Sequence, residues 1–76
     1  MNTPTLPDLQ EHAERMFEAC SELRLTDAKR GRDSDVFYGR CHTLAELGLI
    51  APERVRQLDA QVADLINAHY GVRHAA

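Results

Sequence analysis

The chain has 76 residues, 9 basic and 12 acidic side chains, a formal charge of −3, no Trp and only two Phe and two Tyr. That length allows one domain, 1–76, and one this small buries only about 60% of its unfolded surface. The acidic balance argues against a general nucleic-acid binder, which carries a basic excess. No apolar run nears the roughly 20 residues of a membrane span.

The amino-terminal stretch MNTPTLPDLQEH has neither a basic nor an apolar signal region. The chain reads as cytoplasmic, so Cys20 and Cys41 are expected as reduced thiols.

Helix signals begin at Pro7 and Asp8, since proline in the first turn loses no needed donor and an acid favours the dipole. Apolar residues recur at Leu9, Ala13, Met16, Cys20 and Leu23 in steps of four and three, a narrow seam with Leu6 and Phe17 beside it. Glu14, Glu18 and Glu22 form an acidic stripe assigned to the opposite face. Residues 24–35, RLTDAKRGRDSD, hold almost nothing apolar after Leu25 and read as a loop or a frayed helix end. The pattern predicts a first helix over 7–25.

Asp33 or Ser34 is placed to cap a second helix over 34–47, with Phe37, Cys41 and Leu44 on one face. Gly39 inside it weakens the helix by about 1 kcal/mol relative to Ala. The stretch LGLIAPERV then reads as a joint. Gly48 suits the left-handed position after a helix, Leu49 and Ile50 turn inward, and Pro52 opens the next helix. Ala51 holds the cap position, where Ser or Asp would be better by about 1 kcal/mol. The third helix, 52–70, aligns Val55, Leu58, Val62, Leu65, Ile66 and His69 on one face, and Gly71 stops it. Residues 1–6 and 72–76 are expected as frayed tails. The fold class is all-α, a three-helix hairpin or bundle. Narrow seams and a small core predict a homodimer.

The chemistry-bearing residues do not cluster. Structural zinc sites need close pairs such as C-x₂-C, and Cys20 and Cys41 lie far apart in sequence. His69 and His74 have a matching gap, but Gly71 interrupts the helix between them. His42, next to Cys41, points about 100° away on a helix and cannot serve it as a base. No catalytic residue, metal site or cofactor is expected, and both cysteines read as small packed hydrophobes.

Interaction surfaces remain. Phe37, Tyr38, Leu47, Leu49 and Ile50 have only the short middle helix and the joint to cover them, and are the expected dimer or partner interface. Glu14, Glu18, Glu22, Arg30, Arg32 and Arg40 form a candidate charged docking surface, which would steer an oppositely charged partner. The helix–Gly turn–helix shape also resembles DNA-reading motifs, in which Arg54 and Arg56 would face bases. Asp59 and Asp64 on the same helix oppose that alternative, a small DNA-binding regulator.

In style, MFEACSELR and LAELGLIAPERVRQLDAQVADLINAHYG resemble the small helical accessory proteins of bacterial phages and mobile elements. The resemblance implies a non-enzymatic module that binds and antagonises or modulates a host bacterial regulator or complex. It carries over no functional residue.

Overall fold

A computed structural model describes residues 3 and 5–71. The chain forms three helices, α1 (Leu6–Lys29), α2 (Asp35–Glu46) and α3 (Pro52–His69), and each packs against the other two. No strand occurs among the described residues, and no helix there is long and apolar enough to cross a membrane. The expected tail 72–76 lies outside the described residues.

α1 starts one residue before the Pro7 signal because Thr5 caps it. The Asp8 amide donates to Thr5 Oγ1 (3.4 Å), and the Thr5 amide donates to Asp8 Oδ2 (3.3 Å). Such a reciprocal box satisfies two amides that a helix start leaves unpaired. Thr5 and Leu6 are therefore part of the helix start rather than of a frayed tail.

The far end of α1 corrects the sequence expectation more strongly. The helix does not stop at residue 25 but continues through Thr26, Asp27 and Ala28 to Lys29. The reason lies in what its inner face buries: Ala13, Phe17, Cys20, Arg24 and Ala28, in steps of four, three, four and four. This face is rotated from the expected seam. Ala13 and Cys20 belong to both, but Leu9, Met16 and Leu23 remain 44%, 41% and 47% exposed. An arginine holds a core position and so hides the true periodicity.

α2 and α3 begin and end within a residue of expectation, with Ser34, Leu47, Ala51 and Tyr70 acting as their flanking caps. Ser34 makes no side-chain cap bond, and Ala51 can make none. The joint folds as the sequence predicts. Gly48 has φ 76°, its amide donates to the Ala45 carbonyl (2.9 Å), and the Leu49 amide donates to the Leu44 carbonyl (3.0 Å). These bonds satisfy the carbonyls at the end of α2 and swing Ile50 into the core.

The core joins Ala13, Phe17 and Cys20 of α1, Cys41 and Leu44 of α2, Ile50, and Val55, Leu58 and Val62 of α3. The opposite end of the molecule is latched differently. His69 Nδ1 donates to the Lys29 carbonyl (3.1 Å), and the Tyr70 hydroxyl donates to the Gly31 carbonyl (3.2 Å). His69 is thus not a core residue but an exposed tie between α3 and the end of α1.

Two glycines make contrasting predictions. Gly48 has open space where a Cβ would stand, so Gly48→Ala should destabilise by backbone strain alone, about 1 kcal/mol. Gly31 has φ 79°, and a Cβ there would come within 2.6 Å of the His69 ring. Gly31→Ala should therefore lower the melting temperature further, because it also displaces the His69 and Tyr70 latch. Equal shifts for the two variants in thermal denaturation would show that the latch contributes nothing.

Candidate functional site

The most constrained side chain is Arg24, 1% exposed in the middle of the molecule. Its Nε and Nη2 donate to Asp33 Oδ1 (3.1 Å) and Oδ2 (2.9 Å), and its Nη1 donates to Asp59 Oδ1 (2.8 Å). Asp59 Oδ2 also lies 3.0 Å from His42 Nε2. The Tyr38 ring covers the group, with its centroid 4.1 Å from that of His42 and 5.1 Å from Arg24 Cζ. One guanidinium thus ties α1 to the α1–α2 linker and to α3, and α2 joins through His42 and Tyr38.

Burial pulls the Arg24 pKa down, but the hydrogen bonds and charges of Asp33 and Asp59 outweigh it, and the net shift is upward. The group therefore stays charged. No buried side-chain nitrogen or oxygen among the described residues lacks a hydrogen-bond partner. Asp33 is accordingly not the cap of α2: its carboxylate is committed to Arg24. Nothing at the sequence level separates this arginine from its charged neighbours except its place four residues after Cys20 and four before Ala28.

The two thiols are buried beside this network, on the facing sides of α1 and α2. Cys20 Sγ donates to the Phe37 carbonyl (3.0 Å). Burial, and then the neighbouring Cys20, push the Cys41 thiol up to about 12. A thiol so placed is a packed neutral group at ordinary pH. No group of three or more His, Cys, Asp or Glu converges to hold a metal among the described residues.

The five expected interface residues do not form one surface. Ile50 is 2% exposed and belongs to the core, because the Gly48 turn directs it inward; it cannot serve as an interface residue. Phe37 is half-buried against the core. Tyr38 is 44% exposed and borders a cleft between α2 and α3, floored by Arg24 and walled by Val62 and Ile66. Only Leu47, 67% exposed, and the half-buried Leu49 share a surface.

That surface is a shallow groove of about 560 Å³ between α1 and α2, lined by Met16, Val36, Gly39, Arg40, Leu47 and Leu49 among others. The sequence reading assigned Met16 to the interior and passed over Val36. A usable signal existed: Leu9, Met16 and Leu23 repeat every seven residues, which keeps them on one shoulder of the helix.

The charged candidates divide in the same way. Glu14 is not on the outer face; both its oxygens accept from Arg54 Nη1 (2.5 and 2.6 Å), bridging α1 and α3. Arg54 Cζ also stands 4.8 Å from the centroid of the Phe17 ring. Arg56 pairs with Glu53 one turn earlier (2.6 Å). Both arginines of the DNA-reading alternative are therefore held by carboxylates of their own chain. Glu18, Glu22, Arg30, Arg32 and Arg40 are exposed and make no ion pair among the described residues.

No protein-family model, no curated protein and no solved structure matches the chain.

Two predictions follow from the buried groups. Arg24→Met should destabilise by about 2–3 kcal/mol, at or below the low end of the range for a broken buried pair, since Asp33 and Asp59 are 31% and 32% exposed and can recover water. Adding Asp33→Asn and Asp59→Asn should return part of that loss. A single variant as stable as the parent in urea unfolding would show that the network is dispensable.

The Cys41 thiol binds its proton more tightly when folded than when unfolded. Its contribution is therefore complete below the unfolded value near 9 and is lost as pH rises toward the folded value of about 12. Stability should fall over that window, and less steeply in Cys41→Ala, as read by urea midpoints at successive pH values. A slope unchanged by the substitution would rule out this thiol as the cause.

Proposed function

We propose that the chain is a small non-enzymatic protein-interaction module that docks through the α1–α2 face. The observation that carries this reading is the apolar surface left outside the core. Leu9, Met16, Leu23, Val36 and Leu47 are 41% to 67% exposed and line one side of the molecule, although the chain has few large apolar residues to spare. Contiguous apolar surface of that kind marks interaction sites. The groove is open and shallow, which suits a protein surface better than a small molecule needing enclosure. The polar groups that could do chemistry, Arg24, Asp33, Asp59 and His42, are turned toward one another.

The resemblance to accessory proteins of phages and mobile elements adds the class of target. On that ground the module antagonises or modulates a bacterial regulator. It acts as an assembled homodimer or through the same face directly.

Site-specific photo-crosslinking in bacterial cells tests the docking face. A benzophenone side chain at Leu47 should give a defined crosslinked protein, whether another chain or a second copy, identified by mass spectrometry. The same group at Ala60, on the exposed side of α3, should give none. No product from position 47, or equal products from both positions, would overturn the reading.

A further inference from the structure

The flank of α1 carries a second seam, separate from the face its core buries. Between Leu9 and Thr26 the exposed residues of this helix fall into two sets. Gln10, Glu11, Arg15, Glu18 and Glu22 are polar, and all but the first are charged. Leu9, His12, Met16, Ala19, Leu23 and Thr26 include no Asp, Glu, Lys or Arg. This second set advances in steps of three and four, which keeps it on one stripe of the helix. At 100° per residue the stripe lies roughly 110° around the axis from the middle of the buried face. Core packing uses Ala13, Phe17, Cys20, Arg24 and Ala28 and leaves the stripe uncovered.

We propose that this stripe is the contact of a two-fold dimer, in which α1 packs antiparallel against α1 of a second copy of the chain. The inference rests on the reading of the α1–α2 side as a docking surface and names its occupant.

Three features carry it. The first is register. Leu9, Met16 and Leu23 repeat every seven residues, and His12, Ala19 and Thr26 repeat between them. An antiparallel pair sets one series against the other. Met16 then meets the partner's Ala19, Leu9 meets the partner's Thr26, and Leu23 meets the partner's His12. A two-fold axis makes each of these pairs twice. In the first two a long side chain faces a short one, as interdigitated layers require. A parallel pair would instead set Met16 on the partner's Met16 and Ala19 on the partner's Ala19, crowding one layer and leaving a gap in the next. The stripe is thus complementary to itself in one orientation, whereas a partner of different sequence would have to supply the alternation separately.

The second feature is the overhang of α1. With 24 residues it is about 36 Å long, against about 18 Å for the 12 residues of α2. Every residue from Thr5 to His12 is exposed, and the first buried side chain is Ala13. The first two turns therefore bury no residue against the rest of the chain. Isolated turns of helix are marginal in water and gain most of their stability from tertiary packing. In the antiparallel pair they lie along the last turns of the partner's α1, which supplies that packing.

The third feature is area. Met16 also lines the groove that Val36 and Leu47 of α2 border, so the contact continues from the stripe onto α2. The exposed parts of Leu9, Met16, Leu23, Val36 and Leu47 come to on the order of 500 Å² per protomer. Two copies then reach the roughly 1,000 Å² at which specific interfaces begin, and His12, Ala19 and Thr26 add to it. A contact of that size suits a dimer of moderate strength.

Sedimentation equilibrium of the full chain reads the assembly directly. The expected mass at high micromolar concentration is twice the 8.6 kDa chain. Ala19→Glu puts a carboxylate against an apolar layer and should weaken the dimer by about tenfold or more. Glu18→Gln, one position away on the charged side, should leave it unchanged. Both positions are exposed, so helical circular dichroism should not change. Register is read by oxidising an equal mixture of Met16→Cys and Ala19→Cys chains. A 16–19 disulfide between chains should dominate, with little 16–16 or 19–19 product. The native thiols are buried and do not compete.

A monomer mass for the parent chain overturns the inference. So does a dimer that Ala19→Glu leaves intact, one that Glu18→Gln weakens as much, or a mixture in which like positions crosslink as readily as 16 with 19. A monomeric parent whose Leu47 crosslinks to another protein in cells removes the second copy but leaves the interaction reading in place.

Discussion

The buried guanidinium of Arg24 is the constraint on which the rest of the molecule depends. A lone charge in a core this small would be prohibitive, so the chain must bring carboxylates to it. Asp33 comes from the α1–α2 linker and Asp59 from α3, and each is positioned by that demand. The linker can reach Arg24 only by folding back along α1, which fixes where α2 begins. α3 can present Asp59 only with Val55, Leu58 and Val62 facing inward, which is the face the core buries. A shift of α1 or α3 by one turn would move Arg24 or Asp59 out of reach.

That same residue explains which parts of the fold were legible in the sequence. The joint was legible because its chemistry is local: Gly48 needs no partner elsewhere to adopt positive φ, and Pro52 can stand only near a helix start. α3 was legible because its buried positions are aliphatic and evenly spaced. The inner face of α1 was not, because Arg24 and the small Ala28 occupy positions where apolar bulk is the usual signal. Reading the arginine as surface ended the helix at residue 25 and shifted the seam onto Leu9, Met16 and Leu23. The pairing of Glu14 with Arg54 was hidden for a related reason. Spacing along a helix says which residues share a face, not which face meets a neighbour 40 residues away in sequence.

The rotation has a structural consequence. Each turn of α1 offers a limited inward arc, and polar or small residues fill part of it. The larger aliphatic side chains Leu9, Met16 and Leu23 are displaced to its shoulder. Met16 lies beside α2, whose outer side presents Val36 and Leu47. The apolar surface outside is therefore the complement of the ionic group inside. The candidate interface was legible only in part, since Leu47 and Leu49 belong to it while Ile50 is consumed by the joint and Met16 and Val36 went unrecognised.

The polar groups of the interior are committed to one another. A reactive group needs exposure and a partner that changes its proton affinity toward the working pH. Here Cys41 is displaced in the opposite direction, to about 12, and is sealed between α1 and α2. Arg24 is held charged by two carboxylates, and His42 spends its Nε2 on Asp59. Two exposed charges, Asp35 and Arg40, lie instead along the apolar groove. Charges at such a rim do little for the stability of an isolated chain, because water screens them. They gain value when a partner excludes that water and brings the opposite sign.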